Sequence, residues 1–252
     1  PEAGSQRMRN VTTKGLTEED ILDGAGQAFE GGWSKVKLYF MLGLPTETEE
    51  DMREIARLSD RVARRYYEIP KEQRNGKCQI TASSSFFVPK PFTPFQWAPM
   101  CTAEEYMRRA EIVKEEFHAQ LNRKSLKYNW HDAQVTVLEG VMARGDRKVG
   151  KVIEEAYRLG CLFDSWTESF RNELWIQAFE NTGIDPSFYN LRERSEEELF
   201  PWDFIDTGVS RSFLRSEWER AVQETVTPNC RQQCSGCGAA RFGGGICYEG
   251  KN

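Results

Sequence analysis

Between Thr17 and Pro89 the chain alternates twice between a capped helical pattern and a short strand pattern, and this alternation restricts the fold more than any other feature. The run "TEEDILDGAGQAFEGG" has a Thr cap, acids in its first turn and Gly31-Gly32 at its end, which are helix start and stop signals. "KVKLYFMLGLP" then reads as a strand stopped by Gly43-Leu44-Pro45. A second capped helix starts at Thr48, "TEEDMREIARLSDRVARRYY", and "KCQITASSSFFVP" is a second strand, closed by "PKPFTP". Helix, strand, helix, strand predicts an α/β fold with parallel strands. Within the strands, Val36, Leu38, Phe40 and Leu42 share one face, and Lys37, Tyr39 and Met41 the other. Cys78, Ile80 and Ala82 likewise oppose Gln79, Thr81 and Ser83. Buried parallel strands are usually apolar on both faces, so a polar second face lines a cavity or the inside of a barrel, the alternative being solvent at a sheet edge.

After Pro94 the character changes. "TAEEYMRRAEIVKEEFHAQLNRKSL" predicts one long amphipathic helix after Thr102, and residues from about 132 to 225 read as mostly helical, with breaks at Gly145, Gly160, Gly183 and Pro186. From Thr227 the chain is rich in Gly and Cys without periodicity, a composition that a metal orders where a core cannot. The expected division is therefore 1–100, 101–226 and 227–252. The chain opens on Pro1 without Met and is expected to be a piece of something longer.

With 34 basic and 39 acidic residues the net charge is -5, which argues against nucleic-acid binding driven mainly by electrostatics, though it leaves room for a local basic patch that meets RNA. No apolar run approaches the roughly 18 residues of a membrane helix and no signal-peptide pattern opens the chain, so a soluble, cytoplasmic protein without membrane partners is expected. Four of the seven cysteines, Cys230, Cys234, Cys237 and Cys247, fall in "CRQQCSGCGAARFGGGIC". Such clustering fits a metal site in a reducing compartment better than a disulfide framework. Structural zinc favours two C-x2-C pairs and only one is present, so the pattern leans to iron-sulfur, with zinc as the alternative. Cys78, Cys101 and Cys161 read as small buried hydrophobes. His118 reads as solvated, His131 as a structural histidine near a helix start, and Asp146 in "ARGDRK" as a helix cap rather than a substrate ligand beside Arg144.

The stretches "KLYFMLGLPTETEEDM" and "FFVPKPFTPFQW" resemble the fifth and sixth strands of the radical S-adenosylmethionine (SAM) barrel, and "PEAGSQRMRNVTTKGLTEEDIL" resembles the segment leaving its fourth strand. "ARGDRKV", "FDSW" and "PWDFIDTGVSRSFLRSEW" resemble the C-terminal extension of radical SAM proteins that carry a cobalamin-binding-like domain upstream. The resemblance implies the second half of a (β/α) barrel, followed by a mostly helical extension and a Cys-rich tail. It implies an enzyme that in full length reduces SAM at a 4Fe-4S cluster to form a 5'-deoxyadenosyl radical, with cobalamin as a further cofactor and an unidentified substrate. In that family the SAM-cleaving C-x3-C-x2-C follows the first barrel strand. Here the motif follows the barrel strands, so it is read as an additional site. The first four strands, the cluster loop and the Gly-Gly-Glu segment are absent; this part alone is expected to be inactive and to need the missing half of the barrel. By the same resemblance Glu2 meets the SAM ribose, Lys14 its carboxylate, Tyr39 with Lys37 the inside of strand five, and Phe87, Val88 and Pro89 the adenine.

A reading from another class is a non-catalytic, zinc-stabilised module that docks RNA or a protein. Arg231, Arg241, Phe242 and Tyr248 interleave with the cysteines as such contacts would require.

Overall fold

The computed structural model describes residues 1–243. They form two compact units. The first comprises Pro1–Phe87, Glu105–His131 and Glu217–Pro228; the second comprises Val88–Glu104, Asp132–Ser216 and, of the described residues, 229–243. The units interleave along the chain, a partition of a different kind from the consecutive one drawn from composition.

The first unit is built on a parallel sheet of β1 (Lys35–Leu42), β2 (Gln79–Phe86) and β3 (Leu126–Trp130) in that order. Its helices are α1 (Gln6–Val11), α2 (Glu18–Glu30), α3 (Glu49–Glu68) and α4 (Ala103–Ala119) from Glu105 on. Parallel neighbours require crossovers, which α3 and α4 supply. The mixed α/β character and the parallel strands agree with the sequence reading. Both anticipated caps are present as reciprocal boxes: Thr17 Oγ1 accepts from the Asp20 N–H while Asp20 accepts from the Thr17 N–H, and Thr48 and Asp51 repeat the arrangement. Each cap is worth about 1 kcal/mol.

One face of the sheet is the core. Leu38, Phe40, Leu42, Ile80, Ala82 and Phe86 are buried, and α3 packs against all three strands with Met52, Ile55, Leu58 and Val62. Each large side chain so buried contributes roughly 1.5–3 kcal/mol. Gly4 lies hard against α3: a Cβ there would stand 2.2 Å from the Ile55 nitrogen. Arg9, fully buried, donates to the carbonyls of Ala3, Gly4 and Leu16 and to Gln6 Oε1, which fixes the path of the first sixteen residues.

The long helix expected through Leu126 is shorter. Helix α4 ends at Ala119, and residues 126–130 are a strand. The buried Asp60 carboxylate accepts from both the backbone N–H of Asn122 (2.9 Å) and its Nδ2 (3.0 Å), which holds a turn there and delivers the chain to the free edge of β2.

The second unit is helical, with α5 (Ala133–Arg144), α6 (Val149–Leu159), α7 (Asn172–Thr182), α8 (Pro186–Asn190) and the start of α9 (Arg211–Val222). The four anticipated breaks all fall at helix termini. Val141, Val152, Ala156, Trp175, Ala178 and Phe179 form its core. No helix among the described residues is long and apolar enough to cross a membrane.

Candidate functional site

The other face of the sheet is polar. Register places Lys37, Thr81 and Lys127 in one row and Tyr39, Ser83 and Asn129 in the next. Neighbouring strands lie about 4.8 Å apart, so each row spans roughly 10 Å between its outer Cα atoms. Tyr39 is 60% exposed, with Lys37 Nζ 5.2 Å from its ring centroid, a cation-π distance. Lys35, Lys127 and Asn129 are exposed and Gln79, Thr81 and Ser85 half-buried. Ser83 is buried on this face because it is a small side chain between two larger ones. None of the strand residues on this face is acidic, and three are lysines. Its hydroxyls, amides and ammonium groups can hold a polar or anionic ligand, with donors in excess. In parallel α/β folds ligands gather at the carboxyl ends of strands. The Tyr39 row is nearer that end than the lysine row. Sequence reasoning missed Lys127 and Asn129 because it ran the helix to Leu126 and assigned no strand after it; the alternation of Leu126, Tyr128 and Trp130 with these two polar residues was the available signal.

Glu2 forms a parallel bridge with Phe40: its N–H donates to the Tyr39 carbonyl at 3.1 Å and its carbonyl accepts from the Met41 N–H at 2.8 Å. The sheet therefore continues past β1 at that point. Lys14 Nζ lies 3.0 Å from Glu2 Oε1, so two residues selected for separate contacts pair with each other. Exposed pairs of this kind are worth about 1 kcal/mol or less, and a ligand can displace either partner. Phe87 is tied down: its N–H donates to the Leu42 carbonyl at 2.8 Å and its carbonyl accepts from Tyr106 Oη at 2.5 Å. Val88 and Pro89 are buried in the second unit. Lys37, Tyr39 and Glu2 are thus gathered at one sheet, whereas Phe87 has both backbone groups engaged.

The loop after β1 carries a buried acid. Glu47 accepts from the Gly43 N–H and from Arg109 Nη1, each at 2.8 Å. Burial pushes its carboxyl up to about 7 in spite of both contacts.

The cysteine loop belongs to the second unit. Cys237 accepts from the Ser210 N–H through its carbonyl (2.9 Å) and from the Ala239 N–H through Sγ (3.4 Å). Gly238 has φ +93°, and a Cβ on it would meet the Gly208 carbonyl at 2.5 Å, so only glycine lets the loop seat there. Arg241 pairs with Asp206 at 3.0 Å. Cys230 and Cys234 are exposed and Cys237 half-buried; Cys247 and Tyr248 lie outside the described residues. Among the described residues no three His, Cys, Asp or Glu side chains gather as a metal site. The donor chemistry suits a soft metal or cluster, but the described thiols do not converge on one. Cys78 and Cys161 are buried, as expected of small hydrophobes, and Cys101 is half-buried. His118 and His131 are exposed. Asp146 Oδ1 accepts from the Lys148 N–H at 2.8 Å and from Tyr189 Oη at 3.0 Å.

No known family model matches the chain, and no solved structure matches it significantly. A stretch of 184 residues, 73% of the chain, is 28% identical to an uncharacterized protein of Methanocaldococcus jannaschii. The matched region spans 38% of that protein's length.

Proposed function

We propose that this chain is the C-terminal part of a radical SAM enzyme, in which the polar face of β1, β2 and β3 lines the inside of a barrel and Cys230, Cys234, Cys237 and Cys247 hold an additional iron-sulfur cluster. The observation that carries the reading is the asymmetry of the sheet. Parallel sheets are ordinarily covered on both faces, and a parallel βαβαβ unit with helices packed on one face and polar residues on the other is what a barrel wall requires. The parallel bridge at Glu2 supports continuation of that wall beyond β1. The longer relative is compatible with a part-chain reading.

SAM bound there beside a reduced cluster would supply radical chemistry for hydrogen abstraction, and cobalamin would add methyl transfer. This chain's contribution is to bind and orient. Tyr39, Ser83 and Asn129 offer hydroxyl and amide groups to a ribose or substrate, Lys37 and Lys127 offset negative charge, and Glu2 accepts from hydroxyls once Lys14 turns to a carboxylate. The backbone of Phe87 is a poor candidate for reading adenine. Photolabelling with an azido derivative of SAM tests the reading. Label should fall on peptides of β1, β2 or β3 and diminish in Tyr39→Ala; label confined to the second unit would contradict it.

The exposed Cys230 and Cys234, interleaved in sequence with Arg231 and Arg241, favour, as a second reading, a zinc-stabilised module that docks RNA or protein. It requires zinc without sulfide, and binding that weakens as salt rises.

A further inference from the structure

The second unit contains a cleft of about 380 Å³ that neither reading uses, within the size range of small-molecule sites. Arg194 forms part of its lining and is only 4% exposed. Its Nη2 donates to the Arg144 carbonyl at 2.8 Å, but Nε and Nη1 meet no acceptor among the described residues. Its guanidinium lies 5.3 Å from the ring centroids of both Phe200 and Trp202. The rings return part of the desolvation cost and give the two N–H groups no lone pair. Burial also pulls the Arg194 pKa below its usual value, the sign of a charge short of compensation.

The surrounding charges do not supply the missing anion. Arg144, Arg147 and Arg192 line the cleft with Arg194, against Asp146 and Glu198, an excess of two cations. Glu198 is occupied by a bidentate pair with Arg192, both contacts at 2.6 Å. Asp146 already accepts from Lys148 and Tyr189. Phe188 and Phe204 also line the cleft, and Phe204 is 85% exposed, so aromatic surface stands open beside positive charge.

We propose that this cleft binds a small organic anion, with its phosphate or carboxylate over Arg194 and beside the exposed Arg147 and its flat apolar body against Phe188 and Phe204. Arg147 donates directly, Arg194 contributes its uncompensated charge from the floor, and the aromatic rings select against a bare inorganic ion. The site is independent of the radical SAM reading, because it uses second-unit residues that reading leaves aside.

The test is titration of the whole chain with phenyl phosphate and with benzoate, followed by calorimetry, with phenol and inorganic phosphate as half-probes. One or both aromatic anions should saturate a single site that phenol does not fill at the same concentration, and the tighter of the two identifies the head group. Arg147→Ala should weaken binding about 5-fold or more with an unchanged Tm. Glu198→Gln removes an anion and releases Arg192, so it should tighten binding several-fold; a merely structural cleft would not respond in that direction. Failure of both anions to bind, or affinities indifferent to both substitutions, overturns the proposal.

Discussion

Asp51 shows how much of the first unit hangs on one side chain. Burial alone would raise its pKa, but donation from Arg7, from Ser5 Oγ at 2.6 Å and from Thr48 holds it at about 2. It thereby closes the α3 capping box and fastens the start of α1. A carboxyl depressed on folding stabilises above its unfolded pKa, near 4, and loses that contribution as pH falls through the folded value. Asp51→Asn should therefore cost roughly 1–2 kcal/mol at pH 7, discounted for the solvent beside Arg7, and the gap to the native chain should shrink between about pH 4 and pH 2. Thermal melts at several pH values check both. Gly4→Ala drives a methyl into the α3 backbone and should cost roughly 1–3 kcal/mol, measured by denaturant unfolding.

At the scale of elements, β3 depends on the Asp60–Asn122 turn. Asp60→Ala leaves two donors of Asn122 without their acceptor and should cost about 2–4 kcal/mol. Amide exchange should rise first in residues 126–130; uniform protection across β1, β2 and β3 would argue against this anchoring role. The helices and strands with strong local signals, such as the Thr17 and Thr48 caps and the alternation in Lys35–Leu42, were legible in the sequence because those signals act within a few residues. β3 was not, since its five residues follow an amphipathic run and are fixed as a strand by pairing with β2 and by an acid 62 positions away. The candidate site was legible to the same degree: Lys37 and Tyr39 follow from strand parity, whereas Lys127, Asn129 and the pairing of Glu2 with Lys14 depend on contacts across the fold. The cysteine loop has its own element-scale test. Gly238→Ala clashes with the Gly208 carbonyl, so exchange should increase across residues 229–243 while α5, α6 and α7 keep their protection.

At the scale of the whole molecule, the chain carries both a sheet with one polar face and a four-cysteine segment, and that segment separates the two functional readings. A barrel wall and a docking module could share the same three strands, but they require different centres at Cys230, Cys234, Cys237 and Cys247. The decisive measurement is iron, zinc and acid-labile sulfide in this chain purified without oxygen, together with its absorption spectrum. The account predicts iron with sulfide and a broad band near roughly 400 nm, both lost when Cys234 and Cys237 are replaced by Ala. Stoichiometric zinc without sulfide would contradict it and leave the loop a structural or docking element.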